Sequence, residues 1–173
     1  MNDILATITV ASESGQVKDI SFHQKLFRFK CKRCATFCCR LGGPLLTEKD
    51  VQRIKEAGHA EDEFLEPLDC RFRDKRVKYV ASLKAKEDGP CIFLRFSADQ
   101  NQYDCAIYDF RPVLCRLYPF SFDREAPNII VLKIIPCCRG LYDPDGRAVD
   151  EGFLTHQILA PLLETMDPFE DGA

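Results

Sequence analysis

Ten of the 173 residues are cysteine, and most stand in tight groups. The densest is Cys31-Lys-Arg-Cys34-Ala-Thr-Phe-Cys38-Cys39. Cys105 and Cys115 bracket the run Cys105-Ala-Ile-Tyr-Asp-Phe-Arg-Pro-Val-Leu-Cys115-Arg-Leu-Tyr-Pro-Phe, and Cys137-Cys138 form a late doublet. Cys70 and Cys91 stand between the groups. Thiolates a few residues apart on a short turn can aim their sulfurs at one point, which is how proteins hold zinc and iron–sulfur centres. Metal binding is therefore the chemistry that this spacing indicates.

The competing chemistry is a disulfide scaffold. The start, Met1-Asn-Asp-Ile-Leu-Ala, carries an acidic residue and no long apolar run, so a secretory leader is not expected. A chain of this length can bury a core without covalent staples. Neighbouring cysteines such as Cys38-Cys39 seldom bridge each other, because the intervening peptide is strained by disulfide geometry. Reduced thiolate ligands imply a reducing, cytoplasmic setting.

Those sulfurs must be positioned by a folded scaffold, for which the composition is ordinary. The formal net charge of −3 offers no bulk attraction to nucleic acid or anionic lipid. No apolar stretch approaches the roughly 20 residues of a membrane span. Tryptophan is absent and phenylalanine numbers thirteen, so phenylalanine is expected to carry much of the packing. One region is locally biased. Residues 25–40 contain Lys25, Arg28, Lys30, Lys32, Arg33 and Arg40 with no acidic residue. That charge can offset anionic thiolates, form a solvated face, or present a surface to a protein partner. No nucleic-acid-binding motif accompanies it.

The expected scaffold is α+β: a small antiparallel sheet with flanking short helices around a cysteine-ligated metal centre, in one domain over 1–173. Ile4 to Val10 reads as a first strand. Gly42, Gly43 and Pro44 punctuate a loop. A helix follows with Thr47 as N-cap, Asp50 at the capping-box position, Val51, Ile54 and Ala57 on one face, and Gly58 as its stop. A second short helix is expected over Glu61 to Leu68. Val77–Lys84, Cys91–Phe96 and Tyr103–Tyr108 read as three strands of an antiparallel meander. Pro112 can open a short helix that Pro119 closes. Asn128 to Ile135 is the strongest strand and, being apolar nearly throughout, the central one. Asp143-Pro-Asp-Gly146 is a turn. A last helix is expected from Asp150 to Met166, with Pro161 as a kink.

Eight candidate ligands allow two four-thiolate sites, or one site with spare buried thiols. In extended chain, Cys38 and Cys39 point to opposite sides, so they serve two centres or one of them does not ligate. Zinc and iron–sulfur are not separated by spacing. Only one Cys-x2-Cys knuckle is present, at Cys31 and Cys34, and the Cys-x2-Cys-x2-Cys-x3-Cys run of simple ferredoxins is not. His23, His59 and His156 lack metal-like spacing, although ligation by one of them stays open.

The early group ending in Cys38-Cys39, then Cys91-x-Phe93-Leu94, then Cys105-x-Ile107-Tyr108-x2-Arg111-Pro112-x2-Cys115-Arg116-x-Tyr118-Pro119-Phe120, and a late Cys138-x-Gly140 together span about residues 29–140. In this the chain resembles the cysteine-cluster proteins described as zinc- or iron-chelating domains, a group that includes flagellin lysine N-methylases. One departure is visible: three residues, not two, separate Cys34 from the doublet. The resemblance implies Cys31, Cys34, Cys38, Cys39, Cys91, Cys105, Cys115 and Cys138 as metal ligands. It places Arg111, Arg116, Tyr108 and Tyr118 behind them, where arginine can hydrogen-bond sulfur and offset its charge. The plainer alternative makes the tyrosines core aromatics and the arginines partners of carboxylates. Cys70 and Cys137 have no counterpart in the pattern.

Three functions follow as expectations. The first is a metal-centre protein with an iron–sulfur cluster (4Fe-4S) or zinc in a structural, metal-handling or electron-transfer role. The second, implied by the resemblance, is a protein-lysine N-methyltransferase using S-adenosylmethionine, although no Gly-x-Gly loop follows a strand to cradle that cofactor. The third is a redox subunit that docks on a protein partner through the basic segment 25–40.

Overall fold

The computed structural model describes residues 3–11, 16–36, 38–68 and 79–165. Cys70 and the start of the strand expected at Val77 lie outside them. The chain forms two compact units, one from Met1–Lys30 with Leu117–Ala173, the other from Cys31–Arg116. The class is α+β, as expected: every strand pairing is antiparallel and the helices are short.

The first unit is built on a four-stranded sheet. Its strands are β1 (Ile4–Val10) and β2 (Val17–Phe22) from the start of the chain, with β9 (Phe120–Ala126) and β10 (Ile129–Ile134) from beyond the other unit, in the order β2-β1-β10-β9. β10 is central, as its unbroken apolar character requires, with Ile130 and Leu132 fully buried between β1 and β9. Phenylalanine does carry packing here. Phe29, Phe120 and Phe153 form an edge-to-face trio with ring centroids 5.8–6.5 Å apart. Phe29 ends β3 (Arg28–Phe29), which pairs with β11 (Arg147–Ala148). Gly140 is required by this packing: a Cβ there would stand 2.3 Å from the Lys30 carbonyl oxygen.

The C-terminal helix is present but not uniform. It runs as α4 (Glu151–Phe153), a π-helical stretch (Leu154–Leu159) and α5 (Ala160–Thr165), capped at its start by the Asp150 carboxylate on the Phe153 N–H at 2.9 Å. The expected kink at Pro161 is taken up by this widened turn, because proline cannot donate to the preceding carbonyl ladder.

The second unit holds a three-stranded sheet, β4 (Leu45–Thr47), β6 (Tyr79–Leu83) and β5 (Leu65–Pro67), in the order β4-β6-β5. Helix α1 (Glu48–Glu56) begins at Thr47 with the expected capping box to Asp50, and Gly58 follows its end at φ +97°. Ile54 is buried on its inner face, Val51 is half-buried and Ala57 is exposed. The second expected helix is shorter than its pattern: α2 (Glu61–Phe64) gives way at once to β5, because β5 pairs with β6 and draws Leu65 to Pro67 into the sheet.

The expected three-strand meander is not formed. β6 is claimed on both sides by β4 and β5, which leaves β7 (Leu94–Ser97) and β8 (Gln102–Cys105) as a separate hairpin. Cys91 to Phe93 are a bridge and a turn, not the start of a strand. A single 3₁₀ turn (Tyr108–Phe110) and Pro112 then lead into α3 (Val113–Leu117). The core gathers Leu46, Ile54, Phe64, Leu83, Phe93, Leu94 and Ile107 around Cys91, with Cys39 and Cys105 packed against it. Cys91 is thus part of this unit's core, and Cys39 and Cys105 border it.

Candidate metal centre

Four separate segments of the second unit bring sulfur together. The Cys38-Cys39 doublet lies in a turn closed by the Arg40 N–H on the Ala35 carbonyl at 3.2 Å. Cys91 follows the Lys86–Pro90 turn and donates its N–H to the Cys39 carbonyl at 2.7 Å, fixing the doublet to it. Cys105 ends β8, opposite Leu94. Cys115 lies inside α3.

These five thiols sense one another. The Cys39 sulfhydryl donates to Cys38 Sγ at 3.5 Å. That bond, helped by the Arg111 guanidinium and opposed by burial, lowers Cys38 to about 7. It correspondingly pushes Cys39 up, with burial and the charges of Cys38, Cys115 and Cys91 adding to the rise. Burial is the main cause that raises Cys115, Cys91 and Cys105. Cys91, Cys105 and Cys38 reinforce the rise at Cys115, Cys105 does so at Cys91, and Cys38 at Cys105. Crowded, desolvated thiols hold their protons, and a cation that replaces those protons relieves both the burial and the repulsion.

Compensating groups are already in place. The backbone N–H groups of Phe93 and Leu94 act on Cys91, and that of Ile107 acts on Cys105, each favouring the thiolate. The Cys91 turn itself is closed by the Leu94 N–H on the Cys91 carbonyl at 3.0 Å, which is what brings these N–H groups near the sulfur. Arg111 lowers Cys38, Cys105 and Cys115 alike. Its guanidinium carbon sits 3.7 Å above the Tyr108 ring, and its Nε is buried with no hydrogen-bond partner among the described residues. A buried donor that finds no acceptor among the described residues, beside crowded and desolvated sulfurs, fits a group that brings both positive charge and acceptors.

The other expected site residues are placed as follows. Cys31 is exposed and Cys34 half-buried, in a loop where Arg33 and Ala35 take positive φ of 48° and 53°. Two left-handed non-glycine residues are sterically costly and need holding in place. Arg33 is held by Asp104 at 3.6 Å and by the Tyr108 ring at 5.3 Å, and Ala35 is buried in the core. Tyr108 thus lies between two guanidinium groups, which its sequence context alone does not reveal. Arg116 is half-buried in α3, and Tyr118 is half-buried just beyond it. Cys138 is half-buried in the first unit, in the turn after β10, with its N–H on the Ile135 carbonyl at 3.2 Å; Cys137 beside it is exposed. His59 is half-buried and packs edge-on against Phe93, 4.9 Å between centroids, with its Nδ1 3.7 Å from a Glu63 carboxylate oxygen. Lys86, which favours the Cys91 thiolate, was not singled out by sequence, since a lysine in a turn carries no distinguishing pattern. Among the described residues no three Cys, His, Asp or Glu side chains stand in a preformed single-ion site, and no helix is long and apolar enough to cross a membrane.

Comparison with known proteins agrees with this chemistry. The family model CxxCxxCC, described as "Putative zinc- or iron-chelating domain", matches residues 30–138. The uncharacterized protein MJ0661 of Methanocaldococcus jannaschii is 33% identical over 147 residues, covering 83% of this chain and 72% of that protein. No solved structure matches the chain. With its cysteine pattern matched over residues 30–138, more than half of its length, the chain belongs to the CxxCxxCC family.

Proposed function

We propose that this chain is an iron–sulfur protein, with a four-iron cluster held by thiolates of Cys91, Cys105, Cys115 and the Cys38-Cys39 doublet, in an electron-transfer, metal-handling or structural role. The observation that carries this reading is the mutual influence of Cys38, Cys39, Cys91, Cys105 and Cys115 in one unit, with Arg111 acting on Cys38, Cys105 and Cys115 and with Cys91, Cys39 and Cys105 set in or against the apolar core. Support for iron–sulfur over zinc comes from donor arithmetic. Backbone N–H groups already attend Cys91 and Cys105, while the buried Arg111 Nε still needs an acceptor. A cluster brings sulfide acceptors beyond its thiolates, whereas a lone zinc ion brings none. Bound there, the cluster would supply one-electron chemistry. The protein's own groups exclude water, hold the sulfurs and offset their charge, which are the means by which a protein sets cluster potential. Cys31, Cys34 and Cys138 are further candidate ligands on the family pattern alone.

The test is anaerobic purification without added metal, followed by assay of iron, zinc and acid-labile sulfide and a visible spectrum. Brown protein with iron and sulfide in equal amounts is expected. Colourless protein with stoichiometric zinc overturns the cluster and makes the centre structural, since zinc has no redox chemistry.

A further inference from the structure

Asp50 is the residue whose surroundings exceed its local duty. As third residue of α1 it completes the capping box: Oδ2 accepts the Thr47 N–H at 3.0 Å and the Thr47 hydroxyl at 2.9 Å, while Thr47 Oγ1 accepts the Asp50 N–H at 3.2 Å. A cap needs no more than this. Yet the carboxylate is fully buried, and its second oxygen is committed elsewhere. Oδ1 accepts from Arg53 Nη2 and, at 2.9 Å, from the backbone N–H of Val113, 63 residues away in sequence. Val113 is fully buried and opens α3. Its N–H is one of the orphan donors of a helix start, and the two residues before it cannot cap it in the usual way, since neither Arg111 nor Pro112 has a side-chain acceptor.

Val113 stands midway between Arg111 and Cys115. Helix α1 is rooted in the cysteine-bearing core through Ile54. One bond therefore ties the segment carrying both the central guanidinium and one of the buried sulfurs to the helix beside them. We propose that Asp50 is a positioning residue for the metal centre, using its capping carboxylate to hold the Arg111–Cys115 segment in register with Cys91 and the doublet. This rests on reading Arg111 and Cys115 as part of the centre. All four groups on the carboxylate are donors, so asparagine must turn its NH2 toward one of them and cannot replace it.

The experiment compares Asp50→Asn with Thr47→Val, which removes the hydroxyl half of the capping box but leaves the bond to Val113, and with Val113→Pro, which deletes the donor at a helix position that tolerates proline. Two quantities are read in each: the rate of metal loss to excess chelator, and the rate at which the Cys115 thiol of metal-free protein is alkylated, followed by mass spectrometry. Asp50→Asn and Val113→Pro are expected to quicken both by roughly tenfold or more, the scale seen when residues behind metal ligands are changed. Thr47→Val is expected to lower the unfolding midpoint while leaving both rates near wild type. Equal rates in all three variants and wild type overturn the proposal, as does Thr47→Val matching Asp50→Asn. If the wild-type protein takes up no metal, the proposed function fails, and the alkylation rates still decide whether Asp50 positions Cys115. Should Asp50→Asn not fold, Val113→Pro carries the comparison.

Discussion

At the scale of single residues, burial sets what each thiol does. Cys105 and Cys115 are raised chiefly by desolvation, Cys105 further by Asp104 and Cys38 and Cys115 by Cys91, Cys105 and Cys38, whereas Cys137 is exposed to solvent. Cys105→Ser and Cys115→Ser should therefore yield protein with little bound metal, measured by elemental analysis, while Cys137→Ser should retain the wild-type amount. Arg111 is expected to matter through charge and plane together. Arg111→Lys keeps the charge but not the guanidinium that covers Tyr108 or its Nε–H, so it should behave more like Arg111→Gln than like wild type. Both should lower the midpoint potential of the centre, because a lost positive group or donor near the sulfurs disfavours the reduced, more negative state. Potentiometry of the purified variants checks the direction; a potential unchanged in both would remove Arg111 from that role.

At the scale of elements, close approaches carry the strongest prediction. A Cβ on Gly43 would lie 2.1 Å from the Leu83 carbonyl oxygen, where β6 ends, and backbone cannot swing aside as a side chain can. Gly43→Ala should destabilise the second unit by about 2 kcal/mol or more, read as a lower denaturant midpoint. Elements whose signals are local were legible in the sequence. β1, the Thr47–Asp50 capping box and the central β10 all depend on neighbouring residues or on one apolar run. Elements decided by distant partners were not. Leu65 to Pro67 read as helix until β6 claimed them, and of the strand expected over Cys91 to Phe96 only Leu94 to Phe96 form one, because Cys91 bridges to Ala85 and its carbonyl takes the Leu94 N–H in a turn. The same limit applied to the site. The cysteine groups and Arg111 could be picked out by type and spacing, but the bond from Asp50 to Val113 spans 63 residues and leaves no periodic trace.

At the scale of the whole molecule, metal and proton compete for the same sulfurs. Without metal, Cys91, Cys105, Cys115 and Cys39 bind their protons more tightly folded than unfolded. Their contribution to stability is complete below the ordinary thiol value of 9.0 and is lost as pH rises beyond it. Cys38, lowered to about 7, acts in the opposite sense between those two values, and it is one group against four. Denaturant midpoints of metal-free protein should therefore fall as pH rises above about 9, while those of loaded protein should not. Each unit has its own core, so removing metal should act unevenly. Chelation is expected to raise amide exchange at Leu94 and Ile107 while the β1 and β10 amides stay protected. Uniform loss of protection across both units would contradict this.

The order of the chain adds a consequence in time. The sheet of the first unit joins β1 to β10, and all of Cys31–Arg116 lies between them. On a ribosome, which delivers the chain from its N-terminal end, every thiol of the second unit has been made before β9 or β10 exists. β1 and β2 must wait as an unpartnered hairpin while the sulfurs are already presented. Metal delivery can thus begin on a nascent chain, before the four-stranded sheet of the first unit is able to close.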